Sequence, residues 1–223
     1  MPPTFEFDPK VQRYRYKSGT KSGRFISRQA IASLIESHIE QEQNRLGAIA
    51  DLLLTKKIRV SEWEQSVAKE LKLGHINAYL LGRGGKNATT PRDWGLLGQK
   101  LKVEYGYLRG FSQEILDGKL SEAQIKARLR LYQDAYHKSY ELARLEGHIE
   151  NGWKWERRRR NAKESCASCI GYEGRGWSAI GTLPNPGEGC ECMSACRCHK
   201  EFSKDEKRPK DMLLKQSFGW LAS

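Results

Sequence analysis

No cysteine occurs in the first 165 residues of this chain, and none occurs after residue 198. That absence excludes a disulfide framework spanning the fold. Long apolar runs are missing too: the nearest approach, Leu46 to Leu54, is short and interrupted by Asp51. No transmembrane helix is therefore expected, and no membrane partner. The opening residues Met1 to Asp8 lack a basic stretch followed by an apolar one, so no secretory signal is expected, and the chain reads as a soluble protein made in the cytosol. His38, His75, His137 and His148 stand apart, and no His-Glu-x-x-His occurs. Glu64, Asp93 and Glu104 have no partner at a spacing that would mark an acid/base pair, and a small-molecule substrate is not expected. The chain reads as something other than an enzyme.

What is present is basic, helical and divided. The 223 residues carry a net charge of +12, which favours an anionic partner, either nucleic acid or an acidic protein surface. The basic residues gather in the N-terminal arm and in Lys154 to Lys163, around the run Arg157-Arg158-Arg159-Arg160. These four arginines are candidate contacts for nucleic acid or a protein partner. The alternatives are a solvated surface or pairing with neighbouring glutamates.

Residues 1–26 read as an extended arm with a short hairpin, since Val11 to Tyr16 alternate and Ser22-Gly23 suits a turn. From Ser27, an N-cap, apolar residues recur at helical spacing through Ile31, Leu34, Ile35, Ile39, Leu46 and Leu53. Ser61 and Glu64 have capping-box spacing ahead of a helix with Trp63, Val67 and Leu71 on one face, which Gly74 ends or bends. Leu81 to Lys86 is glycine-rich, but its spacing and Asn87 exclude a phosphate loop. Thr90-Pro91 opens a third helix with Trp94, Leu97, Leu101, Tyr105 and Leu108 on its stripe. Ser121 with Gln124 caps a fourth, running to about Leu145 with Ile125, Leu129, Tyr132, Tyr136 and Ala143 inward. The expected fold is mainly α (α+β overall): an antiparallel bundle of about four helices over residues 27–150, a small cysteine-rich β-module over 151–203 and a tail over 204–223. Within the module, Trp153 and Trp155 would share the core face of a strand, and Trp177 to Ile180 and Arg197 to Phe202 read as further strands.

All six cysteines lie between residues 166 and 198. Cys166-x-x-Cys169 has the spacing with which two thiolates grip one ion, and thiolates select zinc among the abundant divalent metals. Cys190, Cys192, Cys196, Cys198 and His199 are the candidates for the remaining ligands. Disulfides or free thiols fit the even count as a rival reading. A redox Cys-x-x-Cys is a second rival, but no thioredoxin-like βαβ pattern surrounds it.

At Cys166-Ala-Ser-Cys169-Ile-Gly-Tyr-Glu-Gly174, followed by Cys196-Arg-Cys198, the chain resembles the bacteriophage head-morphogenesis, or minor head protein, family. The resemblance spans roughly residues 150 to 202, with Gly23 to Arg28 and Leu108 to Phe111 similar to prophage-encoded relatives. Many relatives have a histidine where Met193 stands, and Cys192 is the natural substitute ligand. With that departure the metal site is inferred from the cysteines themselves rather than carried over intact, and Cys166, Cys169, Cys192, Cys196 and Cys198 are the candidate zinc ligands. What the resemblance implies is a structural virion protein of the capsid or portal vertex that works with portal and major capsid proteins in head assembly, with packaged DNA a further contact. The alternative is a zinc-dependent nucleic-acid-binding protein. The aromatic residues of the two ends, Phe5 to Phe25 and Phe218 to Leu221, suit docking on such a partner or folding back on the bundle.

Overall fold

The structure is a computed structural model that describes residues 5–8, 13–161, 164–193 and 196–209. The elements run β1 (Phe5–Asp8), β2 (Arg13–Tyr16), α1 (Arg28–Leu54), α2 (Val60–Arg83), α3 (Pro91–Leu116), α4 (Glu122–Glu150), β3 (Trp155–Arg159), α5 (Ala167–Gly174), β4 (Ser178–Ala179) and β5 (His199–Ser203). The fold is mainly α, with a small antiparallel sheet following the helices.

Consecutive long helices run antiparallel, as paired side chains along their lengths show. Trp63 of α2 meets Phe111 of α3 edge-on, while Tyr79 near the other end of α2 donates to Asp93 at the start of α3 at 2.6 Å. Arg128 near the start of α4 pairs with Glu114 near the end of α3, and Arg92 pairs with Glu146. Ile39, Leu46, Trp63, Leu71, Phe111, Leu129 and Tyr136 form the buried centre. Each such side chain contributes roughly 1.5–3 kcal/mol by leaving water. Trp94 departs from the expected stripe and is 40% exposed. The side chain of Ile31 lies outside the described residues.

Gly74 neither ends nor bends its helix. α2 continues through it to Arg83, and the residue serves packing instead. A Cβ at Gly74 would stand 2.3 Å from the Tyr136 ring, and one at Gly82 would stand 2.3 Å from the Tyr140 carbonyl. Eight positions apart, the two glycines share one face and let α4 come close. His38 of α1 reaches the same glycine, with a contact of 3.2 Å to the Gly74 carbonyl.

Caps stop and start the helices. Ser27 and Ser121 accept from the N–H groups of Ala30 and Gln124, as their spacing predicts. α2 begins earlier than expected, at Val60: the Glu62 carboxylate accepts from the Arg59 N–H at 2.8 Å. The acidic side chain nearest the free N–H groups decides the start, leaving Ser61 inside the first turn. α4 runs five residues beyond Leu145, to Glu150, and Gly152 at φ 70° releases the chain toward the sheet.

The N-terminal arm contains the hairpin β1–β2, and Arg15 bridges Phe25 across the following turn. Tyr14 and Ile26 are buried, and Tyr14 stands beside Tyr140 and Arg144 of α4. The latter half of the arm is thus part of the folded body. The apolar tail residues Met212 to Leu221 lie outside the described residues.

Candidate metal centre

The sheet has the order β4-β3-β5, with β3 central and antiparallel to both neighbours. Its buried face is the opposite of the expected one. Glu156 and Arg158 point inward and are fully buried, while Trp155 lies on the partly exposed side, its indole N–H donating to the Asp205 carbonyl at 2.9 Å. Alternation places residues 156 and 158 on one side as readily as it places tryptophans there; the partners decide. Lys200 of β5 donates to Glu156 at 2.9 Å and to the Leu183 carbonyl at 2.7 Å, and the Leu183 N–H donates to Glu156 at 2.7 Å. The pair is thereby hydrogen-bonded on both sides, the condition under which buried charges persist.

Arg158 points from β3 into the cysteines. One guanidinium nitrogen donates to the carbonyls of Pro184 and Asn185 at 3.0 and 3.2 Å. The other reaches the Cys196, Cys190 and Cys169 sulfurs at 3.2, 3.7 and 3.9 Å. Its full burial corrects its expected role, because it cannot meet a phosphate or a partner. The other three arginines of the run also pair within the chain. Arg157 bonds Glu201 at 2.7 Å and covers the Trp177 ring, while Arg159 and Arg160 both engage Glu173 of α5.

Cys166 is the N-cap of α5, so Cys-x-x-Cys opens a helix rather than closing a turn, and Cys169 lies in the first helical turn. The second segment returns through Cys190 to Cys198. Cys169, Cys190, Cys192 and Cys196 place their sulfurs within 4.8 Å of one another. Cys166 and Cys198 pack against the same group, and all six are free thiols. Sγ–Sγ contacts within the group include 3.5 Å for Cys169–Cys192 and Cys190–Cys192, 3.6 Å for Cys166–Cys192 and 3.8 Å for Cys169–Cys196. Zinc with four thiolates at about 2.3 Å sets its sulfurs about 3.8 Å apart. The donors fit the ion in kind, number and separation.

The thiols do not share one acidity. The Cys169 N–H donates to Cys166 and is the main reason that thiol is held at about 7. Burial opposes ionisation of Cys196, yet the Cys198 N–H and the Arg158 guanidinium together hold it at about 6. Burial pushes Cys192 up to about 12 and raises Cys169 and Cys198 as well. Touching thiols cannot all ionise unless a cation joins them, which is the role a divalent metal fills.

Sequence reasoning brought Cys166, Cys169, Cys192, Cys196 and Cys198 to the site, and the structure gathers all five. Cys190, one of the candidates for the remaining ligands that the narrower set left out, is also a member of the four-sulfur group. His199 projects from β5, 43% exposed at its side chain and 4.0 Å from Glu201. Arg158 was missed as a thiolate partner, and the signal for it was its parity with Glu156 on β3. Asp93, unpartnered by spacing, proves to be a structural hub that accepts from Tyr79 and pairs with Arg83 at 3.0 Å.

The module rests on the end of the helical body. His148 stacks on Phe202 with ring centres 4.0 Å apart, and Arg144 donates to the Lys200 carbonyl at 3.2 Å. A cleft of about 660 Å³ opens at this junction, lined by Glu36, Arg144 and His148 on one side and Cys198 and Lys200 on the other. Among the described residues, no helix is long and apolar enough to cross a membrane. No protein-family model, no curated protein and no solved structure matches the chain.

Proposed function

We propose that the chain is a structural minor head protein of a bacteriophage or prophage, acting with portal and coat proteins in head assembly. In this reading its C-terminal module is held together by zinc. The observation that carries it is the closure of the resembling segment as one unit. Cys166-x-x-Cys169, the Gly/Pro excursion and Cys196-Arg-Cys198 meet at a single thiol cluster framed by β3 and β5. That arrangement supports a metal-stapled module on a helical stem, and no part of the proposal needs catalysis. The arginine run lends the nucleic-acid alternative little support, because its members are already engaged by Glu173, Glu201 and the thiols.

The test is co-expression with the portal and major capsid proteins of the same phage or prophage. Retention with either through gel filtration, and presence in purified particles, is the expected result. A chain that ignores both proteins and instead binds DNA with a steep salt dependence overturns the proposal in favour of the alternative.

A further inference from the structure

Six thiols are more than one tetrahedral ion needs. If Cys169, Cys190, Cys192 and Cys196 hold one metal, two cysteines remain, and both touch ligands of the first ion. Cys166 lies 3.6 Å from the Cys192 sulfur and also contacts Cys169. Cys198 contacts Cys169 and Cys196. Both spare thiols are only partly buried, yet neither stands apart, and together they complete a continuous cluster. Two tetrahedra that share an edge need six donors, of which two bridge both ions.

We infer that the cluster holds two divalent ions in a six-thiolate centre, resting on the zinc reading above and extending it. Cys190 is a terminal ligand of the first ion, and Cys166 and Cys198 are terminal ligands of the second. Cys169 is one bridge, since it is the member in contact with both spare thiols. The second bridge comes from Cys192 or Cys196, which touch Cys166 and Cys198 respectively. Direct sulfur contacts of 3.5 to 3.8 Å leave no space for a core of inorganic sulfide between the cysteines. Zinc is thus favoured over an iron–sulfur cluster. Two zinc ions with six thiolates keep two net negative charges, and the buried Arg158 guanidinium faces them.

The experiment is metal analysis of the full chain purified under reducing conditions with zinc present, paired with cadmium-113 substitution and NMR. Two zinc ions per chain are expected, with two cadmium resonances split by coupling through a shared sulfur. The double variant Cys166→Ser/Cys198→Ser should fall to one ion per chain. One zinc in the parent, with a single unsplit cadmium signal, overturns the paired centre while leaving the zinc reading intact. No metal and oxidised cysteines would overturn both, and copper(I) in place of zinc overturns the divalent pair. The cadmium spectrum of the parent decides the matter even where the variant fails to fold.

Discussion

The helical body and the cysteine module reach stability by different routes. The body buries Trp63, Leu71, Phe111, Tyr136 and their neighbours, so it draws on non-directional removal of apolar surface from water. At the centre of the module are Glu156, Lys200 and Arg158 instead, beside thiols, with Trp177, Leu183 and Phe202 as its buried apolar side chains. Buried charge is stabilising only when its partners stay in place. The body should therefore tolerate loss of a contact by degrees, while the module should hold or fail as a unit.

The sharpest test is to challenge the proposed zinc with a chelator. Structural zinc in small thiolate sites is worth about 10–16 kcal/mol at neutral pH, more than a module of this size supplies by burial. Chelation under reducing conditions, or Cys169→Ser, should unfold residues 155–203 while the helical circular dichroism of α1 to α4 persists. Hydrogen exchange read by segment separates the two regions. A metal-free module that keeps slow exchange in β3 and β5 would break the comparison.

Next in size is the buried ion pair. Lys200→Met leaves Glu156 charged and unpaired, at a cost of about 3–5 kcal/mol. The double variant Glu156→Leu/Lys200→Met should recover most of that, measured by urea unfolding followed through tryptophan fluorescence. Equal losses in the single and double variants would show that the pair is not a coupled unit.

The body has its own weak point at the α2–α4 seam. Gly74→Ala forces a methyl group against the Tyr136 ring, 2.3 Å from the ring carbon in the present geometry. The expected loss is about 1–3 kcal/mol, with metal content unchanged. A stabilised Gly74→Ala, as helix propensity alone predicts, would mean that the helices can part freely.

The smallest effect is on pH. Burial lowers His75 from 6.5 to about 3, with its Nδ1 2.8 Å from the Ser139 hydroxyl. The unfolded chain then binds a proton that the folded one refuses between those values. The stability His75 contributes is fully present above about 6.5 and is lost as pH falls toward 3. At pH 5.5 the loss is about 1.4 kcal/mol. The body of His75→Gln should show a flatter dependence than the parent over this range, and an unchanged slope would remove His75 as the cause.

The same division governs what could be read from the residues alone. The four long helices were legible because each carries its own apolar stripe and cap, and Ile125, Leu129, Tyr132 and Tyr136 all lie inward as their spacing predicts. Gly74 was misread because its reason lies on another helix, in the Tyr136 ring. In the module the first cysteine pair was legible from spacing. The inward face of β3 was not, because Glu156 is satisfied by Lys200 from 44 positions later and Arg158 by sulfurs from α5 and the 190–198 segment. Local patterning assigns tryptophan to the core and charge to water, and only the distant partners reverse that assignment. Cys190 stood among the candidates of the second segment, but the resemblance, centred on Cys-Arg-Cys, did not single it out, and only nearness in space does.

The pairing of the central strand with the last one also sets an order in time. While the chain is being made, β3 emerges with Glu156 and Arg158 before any of their partners exist. At ordinary elongation rates the 44 positions to Lys200 take roughly 2–9 seconds. Through that interval the helices, whose contacts are complete by Glu150, can already assemble, while the sheet has an open edge and Cys166 and Cys169 have no companions. Closure of the thiol cluster is thus among the last events in the birth of the molecule, and a ribosome halted before Cys190 would display a finished stem bearing an unclosed head.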